Sequence, residues 1–84
     1  RGDALLELAT YYRAQGNTEK AVFLIERAKN LEAFEYDALL HHAQLRVGEK
    51  DYAKVVELLR QAVQIKREPR VERFLARVEN AAGR

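Results

Sequence analysis

A chain of 84 residues has interior for one small core and excludes a multidomain enzyme, while 48% hydrophobic against 33% charged residues excludes a disordered segment. The absence of cysteine excludes disulfides and thiolate metal sites, and no run approaches the ~18 apolar residues of a membrane span. A net charge of +2 selects neither a strongly acidic nor a strongly basic partner. The chain opens on Arg1 without a signal-peptide pattern, which reads as a piece of a longer protein and leaves localisation unassigned.

Leu5, Leu8, Ala9 and Tyr12 recur at i, i+3, i+4 and i+7 and predict a helix from about Asp3 to Ala14 with that stripe inward. Asp3 suits the positive end of the helix dipole, and Gly16 can take the left-handed conformation that ends a helix. Asn17 then caps a second helix, whose inner stripe is Ala21, Leu24, Ile25, Ala28 and Leu31. A third helix is expected from about Glu35 to Val47. It carries Leu39, Leu40 and Ala43, with His42 and Arg46 where the first helix has Leu8 and Tyr12. Because Gly48 precedes the counterpart of Gly16 by two residues, the third helix is expected to be shorter, its turn longer and the second half less well packed.

Asp51 caps a fourth helix with the stripe Val55, Leu58, Leu59, Ala62 and Ile65, and Pro69 suits the first turn of a fifth. The fifth presents Val71, Phe74, Leu75, Val78 and Ala82 on one face and Arg70, Arg73 and Arg77 on its flanks. An amphipathic last helix is what closes the open end of a helical array. The tail also holds the chain's basic excess, Lys66, Arg67, Arg70, Arg73, Arg77 and Arg84, but Glu68, Glu72 and Glu79 interleave with it. That mixture reads as a solvated face rather than a nucleic-acid site.

An offset of 34 residues relates the first two helices to the next two. Asp3-Ala4-Leu5-Leu6 returns as Asp37-Ala38-Leu39-Leu40, and Ala9/Ala43, Lys20/Lys54, Val22/Val56, Leu24/Leu58 and Ala28/Ala62 coincide in the same register. A 34-residue period of helix pairs resembles the tetratricopeptide repeat family. The residues that carry the resemblance are Leu5, Leu8 with Ala9, Tyr12, Gly16, Ala21 and Ala28, matched in the second unit by Leu39, Ala43, Val55 and Ala62. Leu5 replaces the family's frequent tryptophan, Gly48 is displaced, Ala33 stands where a proline closes the unit, and Pro69 is shifted. The resemblance implies an all-α antiparallel array of helical hairpins, an α-α superhelix of five helices. Repeat one spans about 2–34, repeat two about 36–68 and a capping helix about 69–82.

The resemblance also implies a groove lined by the first helix of each repeat: Asp3, Leu6, Thr10 and Arg13, then Asp37, Leu40, Gln44 and Val47. Family members that grip a chaperone's terminal carboxylate use lysine and asparagine at the positions of Leu6 and Thr10, so that clamp is absent. The expected occupant is a peptide or protein segment held partly by apolar contact, and charges at Leu6 and Leu40 are expected to abolish binding without unfolding the domain. Phe23 lies roughly 135° from the centre of its helix's stripe at 100° per residue. It marks the alternative, a self-association module forming a homodimer.

His41 and His42 are about 100° apart on a helix and cannot share one metal ion. His42 is expected partly buried, His41 exposed, and Tyr11, Phe34 and Tyr36 at seams between helices. Asp3 and Asp37 read as helix-start acids, and no phosphate loop or activated nucleophile is present, so the expectation is no enzyme, no metal and no cofactor. Nucleic-acid binding is disfavoured by Asp3 and Asp37 in the expected groove.

Overall fold

The computed structural model describes residues 2–83 as five α-helices with a single 3₁₀ turn and, among those residues, no strand. They are α1 (Gly2–Ala14), α2 (Thr18–Lys29), the 3₁₀ turn Glu32–Phe34, α3 (Glu35–Gly48), α4 (Tyr52–Ile65) and α5 (Pro69–Ala82). Each helix packs on its predecessor in an antiparallel array of 35 × 27 × 16 Å. Arg84, the last basic residue of the tail, lies outside the described residues.

The 34-residue offset is carried into the caps and turns. Asn17 Oδ1 accepts from Lys20 N at 3.2 Å and Asp51 Oδ1 from Lys54 N at 3.3 Å, each satisfying a first-turn donor. The two hairpin turns close alike: Asn17 N donates to Tyr12 O at 2.9 Å and Asp51 N to Arg46 O at 3.0 Å. Gly16 takes the left-handed conformation in the first turn, φ 80°, and Lys50 takes it in the second, φ 61°. The expected shorter third helix is therefore corrected. Gly48 stays helical, α3 has 14 residues against 13 in α1, and Lys50 accepts the strained position in glycine's place.

Two adjoining cores hold the array. The first gathers Leu6 and Ala9 of α1, Ala21, Leu24, Ile25 and Ala28 of α2, and Ala38 and Leu45 of α3. The second gathers Tyr36, Leu39 and Ala43 of α3 with Val55, Val56, Leu58, Leu59 and Ala62 of α4 and Val78 of α5. Ala21, Ala28, Ala38, Ala43 and Ala62 are all fully covered, which lets helix axes approach closely where they cross. Contrary to expectation the second repeat is the better buried: Leu39, Leu59 and Val55 are the largest fully enclosed side chains.

The inner face of α1 also differs from the expected stripe. Leu6 is 5% exposed and Leu8 is 44% exposed. With leucine at 5, 6 and 8, periodicity alone does not fix the rotation of α1. Its packing against both α2 and α3 does, turning Leu6 and Ala9 inward. Leu31, Ile65 and Ala82, expected on inner stripes, and Tyr11, expected at a seam, are exposed.

The residue that ends each repeat meets the residue that opens it, in two chemistries. Gly2 is buried so tightly that any β-carbon there would overlap the Phe34 ring. At the equivalent places, Tyr36 Oη donates to Glu68 Oε1 at 2.6 Å. Burial, then the Glu68 hydrogen bond, push the Tyr36 phenol up to about 12, and the same bond draws the Glu68 carboxyl below its ordinary value.

Candidate functional site

A cleft of about 600 Å³ runs between α1 and α3. It exists because α1 packs mainly on α2, and α3 on α4 and α2, while α1 and α3 touch each other little, leaving a furrow along their outer edges. Its lining from α1 is Asp3, Leu6, Glu7, Thr10 and Arg13, and from α3 Asp37, Leu40, His41 and Gln44, with Phe34 of the 3₁₀ turn. Seven of the eight groove residues expected from the sequence thus share one concavity.

Val47 is the exception. It is half-buried against the second core, whereas its counterpart Arg13 reaches the cleft on a long aliphatic stem. Leu6 needs a further correction, because at 5% exposure it is both cleft floor and core. A charge at Leu6 would unfold the first core, so it cannot serve as a clean probe of binding.

Glu7, Phe34 and His41 line the cleft without having been expected there. A signal for two of them was present: Glu7 and His41 each lie four residues beyond Asp3 and Asp37, on the same helical arc. Phe34 comes in through its packing over Gly2, a contact between residues far apart in the chain.

The cleft is charged at both ends and mainly apolar between them, with Thr10, His41 and Gln44 as the polar groups of its middle. Asp3 and Asp37 stand in the first turns of α1 and α3, with Glu7 one turn further, while Arg13 stands in the last turn of α1. At 1.5 Å per residue the acidic and basic ends are about 15 Å apart. Leu6 and Leu40 supply the apolar surface between them, and Phe34, packed over Gly2, adds apolar surface at the acidic end. Thr10 Oγ1 donates to Leu6 O at 3.0 Å and lies 3.5 Å from His41 Nδ1, bridging the two walls midway. Burial, then the nearby Arg13 charge, hold the His41 pKa below 6.5, so the ring is neutral at pH 7 and acts as a hydrogen-bonding group.

His42, next in sequence, points elsewhere. It is 5% exposed, its Nε2 accepts from Arg46 Nε at 3.2 Å, and its Nδ1 is 3.9 Å from Glu26 Oε2 on α2. Burial, then the Arg46 guanidinium, hold its pKa below 6.5, and the accepting Nε2 fits the neutral ring. No group of three or more His, Cys, Asp or Glu among the described residues is placed to hold a metal ion.

Phe23 is 61% exposed on α2, with the Arg27 guanidinium 6.0 Å from its ring centroid. Of the basic tail, Arg67 pairs with Glu72 at 2.8 Å, Lys66 lies 5.4 Å from the Tyr36 ring, and Arg77 lies 6.0 Å from the Phe74 ring. These cations are engaged with their own chain. Among the described residues no helix is long and apolar enough to cross a membrane. Comparison with protein-family models, with curated proteins and with solved structures gives no match.

Proposed function

We propose that this chain is a non-catalytic protein-interaction scaffold of tetratricopeptide-like hairpins that binds a peptide segment in the α1–α3 cleft. The observation that carries this reading is the cleft's composition: an apolar floor between an acidic end at Asp3, Glu7 and Asp37 and a basic end at Arg13. A span of about 15 Å accommodates four or five extended residues at 3.3 Å each, or about three helical turns. The fitting ligand has apolar side chains in its middle, a basic group toward Asp3 and Asp37, and an acidic group toward Arg13. Opposite charges at the two ends give it one preferred direction. The tetratricopeptide assignment is supported by the shared 34-residue register of caps, turns and left-handed residues.

Thr10 and Gln44 are exposed and line the cleft, so they probe it without disturbing the core. Selection from a random peptide library should yield binders whose affinity falls roughly tenfold or more in Thr10→Arg and Gln44→Arg. It should also fall when the ligand's terminal charges are exchanged. Binders indifferent to both changes would place recognition elsewhere. A second reading, self-association, is favoured by the exposure of Phe23. A dimer by light scattering that is lost in Phe23→Glu would support it.

A further inference from the structure

Three helices of this chain carry the same seam, and two of the three seams are covered. On α3 it is Ala38, His42 and Leu45, spaced 0, 4 and 7, with exposures of 0%, 5% and 3%. The covering helix is α2: Ala38 and Leu45 belong to the core that contains Ala21, Leu24, Ile25 and Ala28, and His42 faces Glu26. On α5 the same spacing, shifted to an offset of 33 residues, is Val71, Leu75 and Val78, with Val78 buried and Val71 and Leu75 half-buried against the core to which α4 contributes. On α1 it is Ala4, Leu8 and Tyr11, the 34-residue counterparts of the α3 set. Here Ala4 is exposed, Leu8 is 44% exposed and Tyr11 is 56% exposed.

We infer that this outer face of α1 is a second docking surface, which receives an amphipathic helix of a partner protein laid antiparallel to α1, as α2 is laid against α3. The repeated register states the chemistry of the occupant. The two covering helices share a stripe at 0, 3, 4 and 7, Ala21, Leu24, Ile25 and Ala28 in α2 and Val55, Leu58, Leu59 and Ala62 in α4. Alanine at both ends of the α2 stripe and at the far end of the α4 stripe, where Val55 opens it, admits a close crossing, and paired large residues in the middle fill the space beside the seam. Leu8 stands where α3 has His42, so the occupant needs no carboxylate in the place of Glu26. Leu8 and Tyr11 supply the apolar area that such a helix would remove from water.

A second copy fits the seam less well. In a two-fold antiparallel pairing centred on Leu8, the two Glu7 carboxylates fall on one side of the contact within about a helical turn of each other. Glu7 has no ion pair among the described residues to offset that repulsion.

The probe is the covering helix this chain already contains, a synthetic peptide of residues 51–66 with a fluorescent label. A short isolated helix is only marginally ordered and folds on binding, so micromolar to millimolar affinity is expected. Fluorescence anisotropy should show saturable binding to the full chain that weakens roughly tenfold or more in Leu8→Glu and in Tyr11→Glu. Both residues are exposed, and unchanged melting would confirm that the variants fold. Thr10→Arg and Gln44→Arg should leave this binding unchanged, which separates it from the cleft. Absence of binding at about 1 mM peptide, or binding indifferent to Leu8→Glu, would overturn the assignment. So would a concentration-dependent dimer lost in Leu8→Glu, which would put a second copy on the seam.

Discussion

Leu5 and Leu39 hold the same place in the two repeats and differ in how much protein surrounds them. Leu39 is 1% exposed, enclosed by α3, α4 and α5 side chains, while Leu5 is half-buried beside the first core. Tyr11 and Leu45 differ more, at 56% against 3% exposed. The same backbone register thus supports two environments. A repeat's burial depends on the helix laid before it as much as on its own sequence.

The sharpest test compares equivalent truncations. Leu39→Ala should lose about 3–4 kcal/mol of unfolding free energy, and Leu5→Ala about 1–2, because a half-buried site forfeits less transfer energy and leaves less of a cavity. Equal losses by urea denaturation would mean that the two repeats are alike in solution.

Next comes the contact that ends each repeat. Tyr36→Phe should lose about 1 kcal/mol, since its hydroxyl donates to a carboxylate that is itself solvated. Glu68's carboxyl is held below its ordinary value in the folded chain, so its contribution is present above the unfolded carboxylate pKa and fades as pH falls through the folded one. Phe34 over Gly2 has no titrating group. Acid should therefore loosen this contact in repeat two and leave its counterpart in repeat one unchanged, read by NMR at the two residues across pH 7 to 3.

About 1 kcal/mol each separates the turns. Lys50→Gly should stabilise by relieving a left-handed non-glycine residue. Gly48→Ala should also stabilise, since the residue is helical with open space around its would-be β-carbon. Gly16→Ala should do the reverse.

Smaller and pH-dependent is the exchange of Leu8 for His42. His42 has a folded pKa below its unfolded 6.5, so the unfolded chain binds more protons in that window. Stability is then fully present above pH 6.5 and declines as pH falls toward the folded value. His41 acts in the same direction. His42→Leu should flatten part of the decline, measured by melting between pH 7 and 5. Smallest of all is Arg60→Ala, within about 0.5 kcal/mol, because the Arg60–Glu79 pair is largely solvated despite its 2.8 Å contact.

The helices, their caps and the 34-residue register were legible because each rests on local chemistry: Asn17, Asp51, Pro69 and the stripes of α2 and α4. Most of the cleft was legible for the same reason, since a helical arc follows from spacing. The rotation of α1 was not, because Leu5, Leu6 and Leu8 are interchangeable to a periodicity argument and only the placement of α2 and α3 distinguishes them. Lys50 was illegible in another way. Gly48 suggested the turn, yet the hydrogen bonds from Lys50 and Asp51 back to α3 fix the left-handed residue two positions later.

α3 gives Ala38 and Leu45 to one core and Tyr36, Leu39 and Ala43 to the other. No opening that releases either hairpin can leave α3 untouched. The amides at its centre should accordingly exchange with deuterium only through global unfolding, while those of α1 and α5 exchange through partial openings. Two halves that look modular in the sequence are thereby made to melt as one.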